Sequence, residues 1–412
     1  MSQTPEQLYQ ARQKLIEDAI ALKPTERVPV SLALSYFPAK YVDGVTCEDA
    51  FYNPEKWQDA VLKTIADFQP DVCLYSGLIS GKALEAFDLK LLLWPGHGTS
   101  CDHTHQYVEG EYMKADEYDK FFADPSDYMI RTYLPRACGN LQDLARLPSL
   151  QRLFGYPLLT ALLGMPALDG IVETLGKVRR ESMDWTRRMA PLDGRVRALG
   201  MPALFATTVI APFDTVSDNW RGMRGSMLDM YRQPENLLKA VDYILPLSLE
   251  SAIGRARMSG NPRVFIPLHR GAEGFMSIKQ FETFYWPTLK ALMLGLIEAG
   301  LTPCPFFEGD YTSRLEYLLE LPKGKVLGHF DTTDIFRAKE VLDGHLCIQG
   351  NVPCSLLQAG TPEDVKAYCK QLIDVVGKGG GLIVMPRSSV DEARPENIRA
   401  MIDFTKEYGV YS

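Results

Sequence analysis

Eight short apolar segments, helical patterns between them, and hydrophobicity that is continuous within most of them predict an α/β chain. It is built as a TIM-type (β/α)8 barrel with a long, largely helical insertion after the second strand. The segments are 28–34 (VPVSLAL), 71–75 (DVCLY), 203–210 (ALFATTVI), Arg263–Leu268 (RVFIPL), Thr302–Phe307 (TPCPFF), 325–330 (KVLGHF), 345–349 (HLCIQ) and 382–385 (LIVM). Strands read as unbroken apolar runs when helices cover one face and a filled lumen the other. The first and last segments are expected to be neighbours, closing the barrel.

Before the first segment, MSQTPEQLYQARQKLIEDAIAL carries charge throughout and reads as an amphipathic helix rather than a secretory leader. The second half keeps the clearest rhythm: helical patterns at 277–298, 312–321, 333–342, 361–377 and Pro395–Tyr408 alternate with strands. At the fourth of these, Thr361 is placed to cap the helix, with Pro362 at its first position and Glu363 and Asp364 in its first turn. Residues 83–200 break the rhythm with a polar, aromatic-rich tract and then helical segments, and are expected as an insertion within one barrel domain spanning 1–412. The glycines at 377–381 (GKGGG) precede no helix, so a helix-to-strand turn is expected there, not a phosphate cradle.

The net charge of −8 argues against a nucleic-acid partner, since such proteins carry a basic face. No apolar run reaches the ~18 residues that a membrane span needs. Eight cysteines are scattered without a CxxC pair, which predicts reduced thiols and a cytoplasmic protein.

Barrels of this type carry their chemistry where strands end. Those positions hold Tyr36 and Phe37 after the first strand, Phe213 and Asp214 after the third, and His269, Arg270 and Glu273 after the fourth. Glu308 and Asp310 follow the fifth, His329 and Asp331 close the sixth, and Asn351 and Arg387 follow the seventh and eighth. Glu308 and His329 fall on adjacent strands, and a carboxylate converging with an imidazole suits a cation such as Zn²⁺. Asp310, Asp331 and Glu273 are the candidates for a third ligand. A plain hydrogen bond, or direct substrate binding, remains open for the same pair. His269 and Arg270 suit either substrate orientation or a rim salt bridge, and Trp220 suits packing. His97, Cys101, His103 and His105 (PGHGTSCDHTH) have ligand chemistry, but a polar loop of hydrogen-bonded histidines is the plainer reading.

Several stretches resemble the uroporphyrinogen decarboxylase superfamily, which includes corrinoid-dependent methyltransferases. They are GAEGFMSIKQFETFYWPTLKAL, LPKGKVLGHFD, IQGNVPCSLLQAGTPEDVKAYCKQLID, GGGLIVM and PENIRAM, all between residues 271 and 401, with RVPV at the opening strand. The resemblance implies the barrel fold and offers three branches. True decarboxylases hold porphyrin carboxylates with an Arg-Gln-Ala-Gly-Arg-like stretch after the first strand; here that place reads SYFPAKYVDG, with Lys40 its one cation. The thiol methyltransferases hold zinc with a His-x-Cys pair and a distant Cys; the matching positions here are Phe306, Glu308 and about Ser388. The third branch resembles O-demethylase methyltransferases, whose Glu and His ligands share the spacing of Glu308 and His329, although a further upstream Glu would fall at Met293.

The third branch implies methyl transfer from a methoxylated aromatic to the cobalt of a separate corrinoid protein. Glu308 and His329 would be catalytic, zinc would sit on Glu308, His329 and Asp310, and Tyr36, Phe37, Phe213, Asp214, His269 and Phe306 would line the substrate pocket. Without metal, a protonated His329 would act as general acid. The rival of a different class is a non-catalytic protein that binds a tetrapyrrole or corrinoid.

Overall fold

The computed structural model describes residues 3–75, 79–149, 151 and 155–411. It opens with helix α1 (Pro5–Ile20), started by a capping box in which Thr4 and Gln7 satisfy each other's backbone amides, with Pro5 at the first position. Strand β1 (Ser31–Ala33) pairs in parallel with β2 (Val72–Leu74) across helix α2 (Pro54–Phe68). After an excursion, β6 (Thr207–Thr208), β7 (Arg263–Leu268), β8 (Thr302–Phe307), β9 (Leu327–Phe330), β10 (Cys347–Gln349) and β11 (Leu382–Ile383) form an all-parallel six-stranded sheet in sequential order. The chain closes with Pro395–Tyr408, the helix expected there.

These strands thus fall into two sheets rather than one closed sheet, and only isolated parallel bridges span the two seams. Cys73 bridges Ala203, with Leu204 N donating to Cys73 O at 2.9 Å. At the other seam Val30 bridges Val384, and Ser31 N donates to Val384 O at 2.8 Å. The first and last parallel segments are therefore neighbours. This is an α/β fold consistent with a TIM-type barrel. The expected strand at 203–210 shrinks to a bridge and two paired residues, because 203–208 (ALFATT) lies at a seam where only isolated contacts form.

The pleat sorts side chains into two sets. On β7, Val264, Ile266 and Leu268 are fully buried in the large core beneath the helices, whereas Phe265 and Pro267 are half-buried. The lumen-side set closes at its base on α1: Ile16, Ala19 and Ile20 pack against Ala33, Val72, Leu204, Cys304, Leu327 and Cys347. Ile16 is fully buried there. Ile16→Ala leaves a void that the surrounding strands cannot fill, so a loss of about 2–4 kcal/mol in unfolding free energy is expected, read from the denaturant midpoint.

Residues 83–200 are not wholly helical. After the helix Gly81–Phe87 comes a small three-stranded sheet of β3 (Leu92–Pro95), β4 (Gly98–Thr99) and β5 (Gln106–Tyr107), in which β3 pairs antiparallel with β5. LLWPGHGT turns tightly because Gly96 and Gly98 take positive φ. Helical pieces follow, the longest Ala167–Met189. The excursion is pinned to the strand-end side of the sheet. The Tyr36 hydroxyl hydrogen-bonds His105 Nδ1 at 2.6 Å, and Met113 N donates to Trp220 O at 2.7 Å. The buried Arg221 guanidinium pairs with Glu111 and Asp229 and donates to Met113 O at 2.6 Å. Trp220 packs on Phe121, ring centroids 4.7 Å apart. Among the described residues no single helix is long and apolar enough to cross a membrane. All eight cysteines are free thiols. Thr361 caps its helix as expected, and Gly379, Gly380 and Gly381 turn the chain into β11 with positive φ.

Candidate functional site

Following the lumen-side positions upward from the base gives three tiers. The lowest holds Cys304, Leu327, Cys347 and Ile383, all packed with α1 or its neighbours. Two residues further along their strands come Phe306, His329, Gln349 and Met385. Two further still come Glu308, Asp331, Asn351 and Arg387, with His269 two beyond Pro267 on β7.

The middle tier is aromatic on one side. Phe205, Phe265, Phe306 and His329 follow one another across four neighbouring parallel segments as a near-parallel ladder, with centroid separations of 4.8, 6.3 and 4.5 Å. Phe306 is only half-buried, as expected of a lumen wall. On the opposite side Gln349 Nε2 donates to Ser31 Oγ at 3.0 Å.

In the top tier, charge gathers at His269. Asp214, fully buried, accepts the backbone amides of His269 and Arg270 at 2.9 and 3.1 Å and the Tyr285 hydroxyl at 2.6 Å. Burial pushes its carboxyl up to about 6, against the opposing charge of His269. Four residues on, in the helical turn Val216–Arg221, Asp218 accepts His269 Nδ1 at 2.5 Å and Arg270 Nη2 at 3.2 Å. A carboxylate can only accept, so Nδ1 carries the proton and the other ring nitrogen faces outward. That Nε2 lies 3.9 Å from Glu308 Oε2.

Burial opposes the charge on His269, but the Asp218 hydrogen bond and the negative charges of Asp214, Asp218 and Glu308 outweigh it and raise its pKa. Burial likewise raises Glu308, against the pull of His269, although more than half of its side chain meets solvent. The mouth thus holds an imidazole biased toward its charged form, an adjoining half-exposed carboxyl biased toward its neutral form, and Asp218 behind them. Such a set can hold a proton and deliver it to an oxygen at the mouth.

The sequence-derived residues fare differently. His329 and Glu308 have no direct contact between them: His329 is fully buried, its Nε2 donates to Pro386 O at 3.2 Å, and its ring stacks on Phe306. Burial pushes His329 down to about 4, so at neutral pH the ring is neutral and its one ring proton is held on Pro386 O. A neutral, buried His329 does not fit the reading of it as a protonated general acid; the imidazole biased toward its charged form is His269. Asp310 accepts the amide and hydroxyl of Thr312 at 2.9 and 2.6 Å, and Glu273 accepts Ser313 N. Asp331 accepts Gly309 N at 2.9 Å and faces Arg387 Nε at 3.8 Å.

Among the described residues no three His, Cys, Asp or Glu side chains gather as a metal-holding group. The Glu308, His329 and Asp310 donor set does not fit zinc. The histidines at 97–105 are tied separately: His97 stacks on Trp94 at 4.3 Å, His103 bonds Ser100, and His105 bonds Tyr36. Phe37 packs with Tyr41 and Phe68, and Phe213 with Tyr285, both fully buried. Sequence reading passed over Asp218. Its signal was the four-residue spacing from Asp214, which puts both carboxylates on one face of the helical turn after the third strand.

With the geometry in hand, kinship is decided by the C-terminal portion. The uroporphyrinogen decarboxylase (URO-D) family model matches residues 195–408, more than half of the chain. The chain belongs to the URO-D family. A relative described as uroporphyrinogen decarboxylase, from Syntrophotalea carbinolica, is 22% identical over 234 residues, which cover 57% of this chain. The chain spans 63% of that relative's length. A solved structure described as a methyltransferase from Methanosarcina mazei is similar with a TM-score of 0.60 at 14% identity, over 99% of both chains. At that identity the likeness concerns the fold. All five strand-end residues of the top tier, His269, Glu308, Asp331, Asn351 and Arg387, lie inside the stretch matched to the URO-D family.

Proposed function

We propose that this URO-D family protein is a methyltransferase that moves a methyl group from a methoxylated aromatic to the corrinoid of a partner protein, on a TIM-type barrel. The observation that carries the reading is the Asp218–His269–Glu308 set standing at the mouth above a half-open aromatic wall. An aryl methyl ether leaves as a phenolate, a poor leaving group. A proton delivered as the bond breaks contributes about 10²–10⁴ in rate. The reduced corrinoid would supply the nucleophile that takes the methyl group. The methyl–oxygen bond breaks with its electron pair on oxygen, and the phenolate takes the proton from His269 Nε2, leaving a neutral imidazole. Asp218 fixes the ring so that this nitrogen faces the mouth.

Decarboxylation of a porphyrinogen is the second reading, favoured by the family and by the relative from Syntrophotalea. It asks for unengaged cations to hold many carboxylates. Here Arg270 is paired with Asp218 and Lys40 bonds Asp102 O, which leaves Arg387, 3.8 Å from Asp331, too little to hold many carboxylates. The two readings part in one experiment. The protein is incubated with guaiacol or vanillate and a reduced corrinoid protein, and separately with uroporphyrinogen. Catechol or protocatechuate is expected from the first mixture and no CO₂ from the second. Release of CO₂ without demethylation reverses the assignment.

A further inference from the structure

The top tier holds a guanidinium without a hydrogen bond among the described residues. Arg387 follows β11 and is placed by its backbone: its amide donates to Val352 O at 2.7 Å, beside the parallel bridge of Pro386 to Val352. Its side chain is 34% exposed, its buried Nε has no hydrogen-bond partner, and no described residue bonds its terminal nitrogens. The carboxylate it faces, Asp331 Oδ1, lies 3.8 Å from Nε, beyond hydrogen-bond length. The same carboxylate accepts through Oδ2 from Gly309 N at 2.9 Å, the residue after Glu308. Glu308 Oε2 in turn lies 3.9 Å from His269 Nε2. A run of contacts therefore leads round the strand ends from Arg387 through Asp331 and Glu308 to His269. Three strands, β8, β9 and β10, separate β7 from β11, which in an eight-stranded barrel is the opposite wall. Arg387 and His269 thus stand on opposite sides of one mouth. The neighbouring Arg270 is different: its guanidinium is held by Asp218 at 3.2 Å and Ser217 Oγ at 2.9 Å. A charged donor left buried and unbonded is unfavourable, and an incoming acceptor relieves it.

We propose that Arg387 anchors a carboxylate carried on the ring of the methyl donor, so that this mouth takes a methoxybenzoate in preference to an uncharged methoxyarene. The proposal rests on the methoxyarene reading above and adds to it a substrate class and a specificity residue. A planar guanidinium meets a carboxylate through two parallel hydrogen bonds, which fix orientation as well as adding affinity. One such cation suits one carboxylate. A flat ring carries its carboxylate and its ether oxygen at separate positions. Fixing the carboxylate on one wall therefore turns the ether oxygen toward the other, where His269 stands. Asp331, itself held by Gly309 N, keeps the guanidinium at the mouth without occupying its hydrogen-bonding edge.

The test measures dissociation constants by calorimetry on the full chain, without a corrinoid protein. The ligands are vanillate and its amide, vanillamide, which match in size and ring substituents and differ in the charge. The unaltered protein is expected to bind vanillate about 10- to 100-fold more tightly. Arg387→Gln brings the two to within about 3-fold by weakening vanillate alone, with an unchanged melting curve. Arg387→Lys keeps the charge and loses the fork, so its ratio falls between; it takes over the reading if Arg387→Gln disturbs the fold. Equal affinities in the unaltered protein, no measurable binding of vanillate, or a ratio that both variants leave undisturbed overturns the proposal. Turnover separates it from the functional reading. If neither vanillate nor guaiacol is demethylated with a reduced corrinoid protein while the binding ratio and its loss are observed, the methyl-transfer reading fails and the Arg387 assignment holds. If demethylation proceeds while Arg387→Gln leaves the ratio intact, the reverse is true.

Discussion

Replacing His269 by Gln is expected to lower methyl transfer by about 10²–10³ while changing unfolding free energy by less than about 1 kcal/mol. The two effects separate because the ring is part-exposed at the mouth, and because Asp218 keeps Arg270 as a partner when the imidazole is gone. The pH profile identifies the group. On the proposed reading His269 acts as the acid in its charged form, and its pKa is raised above the ordinary histidine value. Turnover should therefore hold below that raised value and fall as pH rises through it. Asp218→Asn removes the strongest support for the charge, so the falling limb should move to lower pH. A proton supplied by His329 would give a different record, since burial holds that group near 4 and no limb belonging to it would lie near neutrality. A profile in which Asp218→Asn leaves the limb in place rules His269 out as the donor.

The largest stability effect is expected at Asp214. Asp214→Ala strands three donors, the part-buried backbone amides of His269 and Arg270 and the buried Tyr285 hydroxyl. Each unmet buried donor costs about 1–3 kcal/mol, and partial relaxation should hold the total to about 3–5 kcal/mol. Asp214→Asn keeps one acceptor oxygen and should cost less. The loss should also depend on pH. The carboxyl titrates near 6 in the fold against an ordinary value near 3.8, so the folded state binds this proton more tightly than the unfolded chain does. That contribution is fully present below the ordinary value and disappears as pH rises through 6. Unfolding free energies of the unaltered protein and Asp214→Ala should therefore differ more at pH 4.5 than at pH 8. A pH-independent difference would mean that Asp214 is not held in this state.

Asp214 also positions chemistry, because the two amides it accepts belong to His269 and Arg270. Turnover lost in Asp214→Ala and restored in part by Asp214→Asn is the pattern expected of a residue acting through His269.

Periodicity and punctuation determined most of the architecture. The parallel strands were legible because each carries its own apolar run, and the helix at Pro362–Gln371 because Thr361, Pro362 and Asp364 form a local signal that needs no partner. The mouth residues His269, Glu308, Asp331, Asn351 and Arg387 were legible by position, since the period-two pleat carries the lumen-facing side of a strand into the residues just beyond it.

What each of them does was decided only in three dimensions. Glu308 and His329 look like partners because they end adjacent strands. They differ by one step of the pleat, so His329 lies a tier lower, stacked on Phe306 and deprived of water, while Glu308 stands at the mouth facing His269. Desolvation and charge neighbours set protonation, and both depend on which residues distant in sequence are folded alongside. For the same reason the role of Asp218 was not legible: its spacing from Asp214 marks a shared face, but its role comes from His269, 51 residues away.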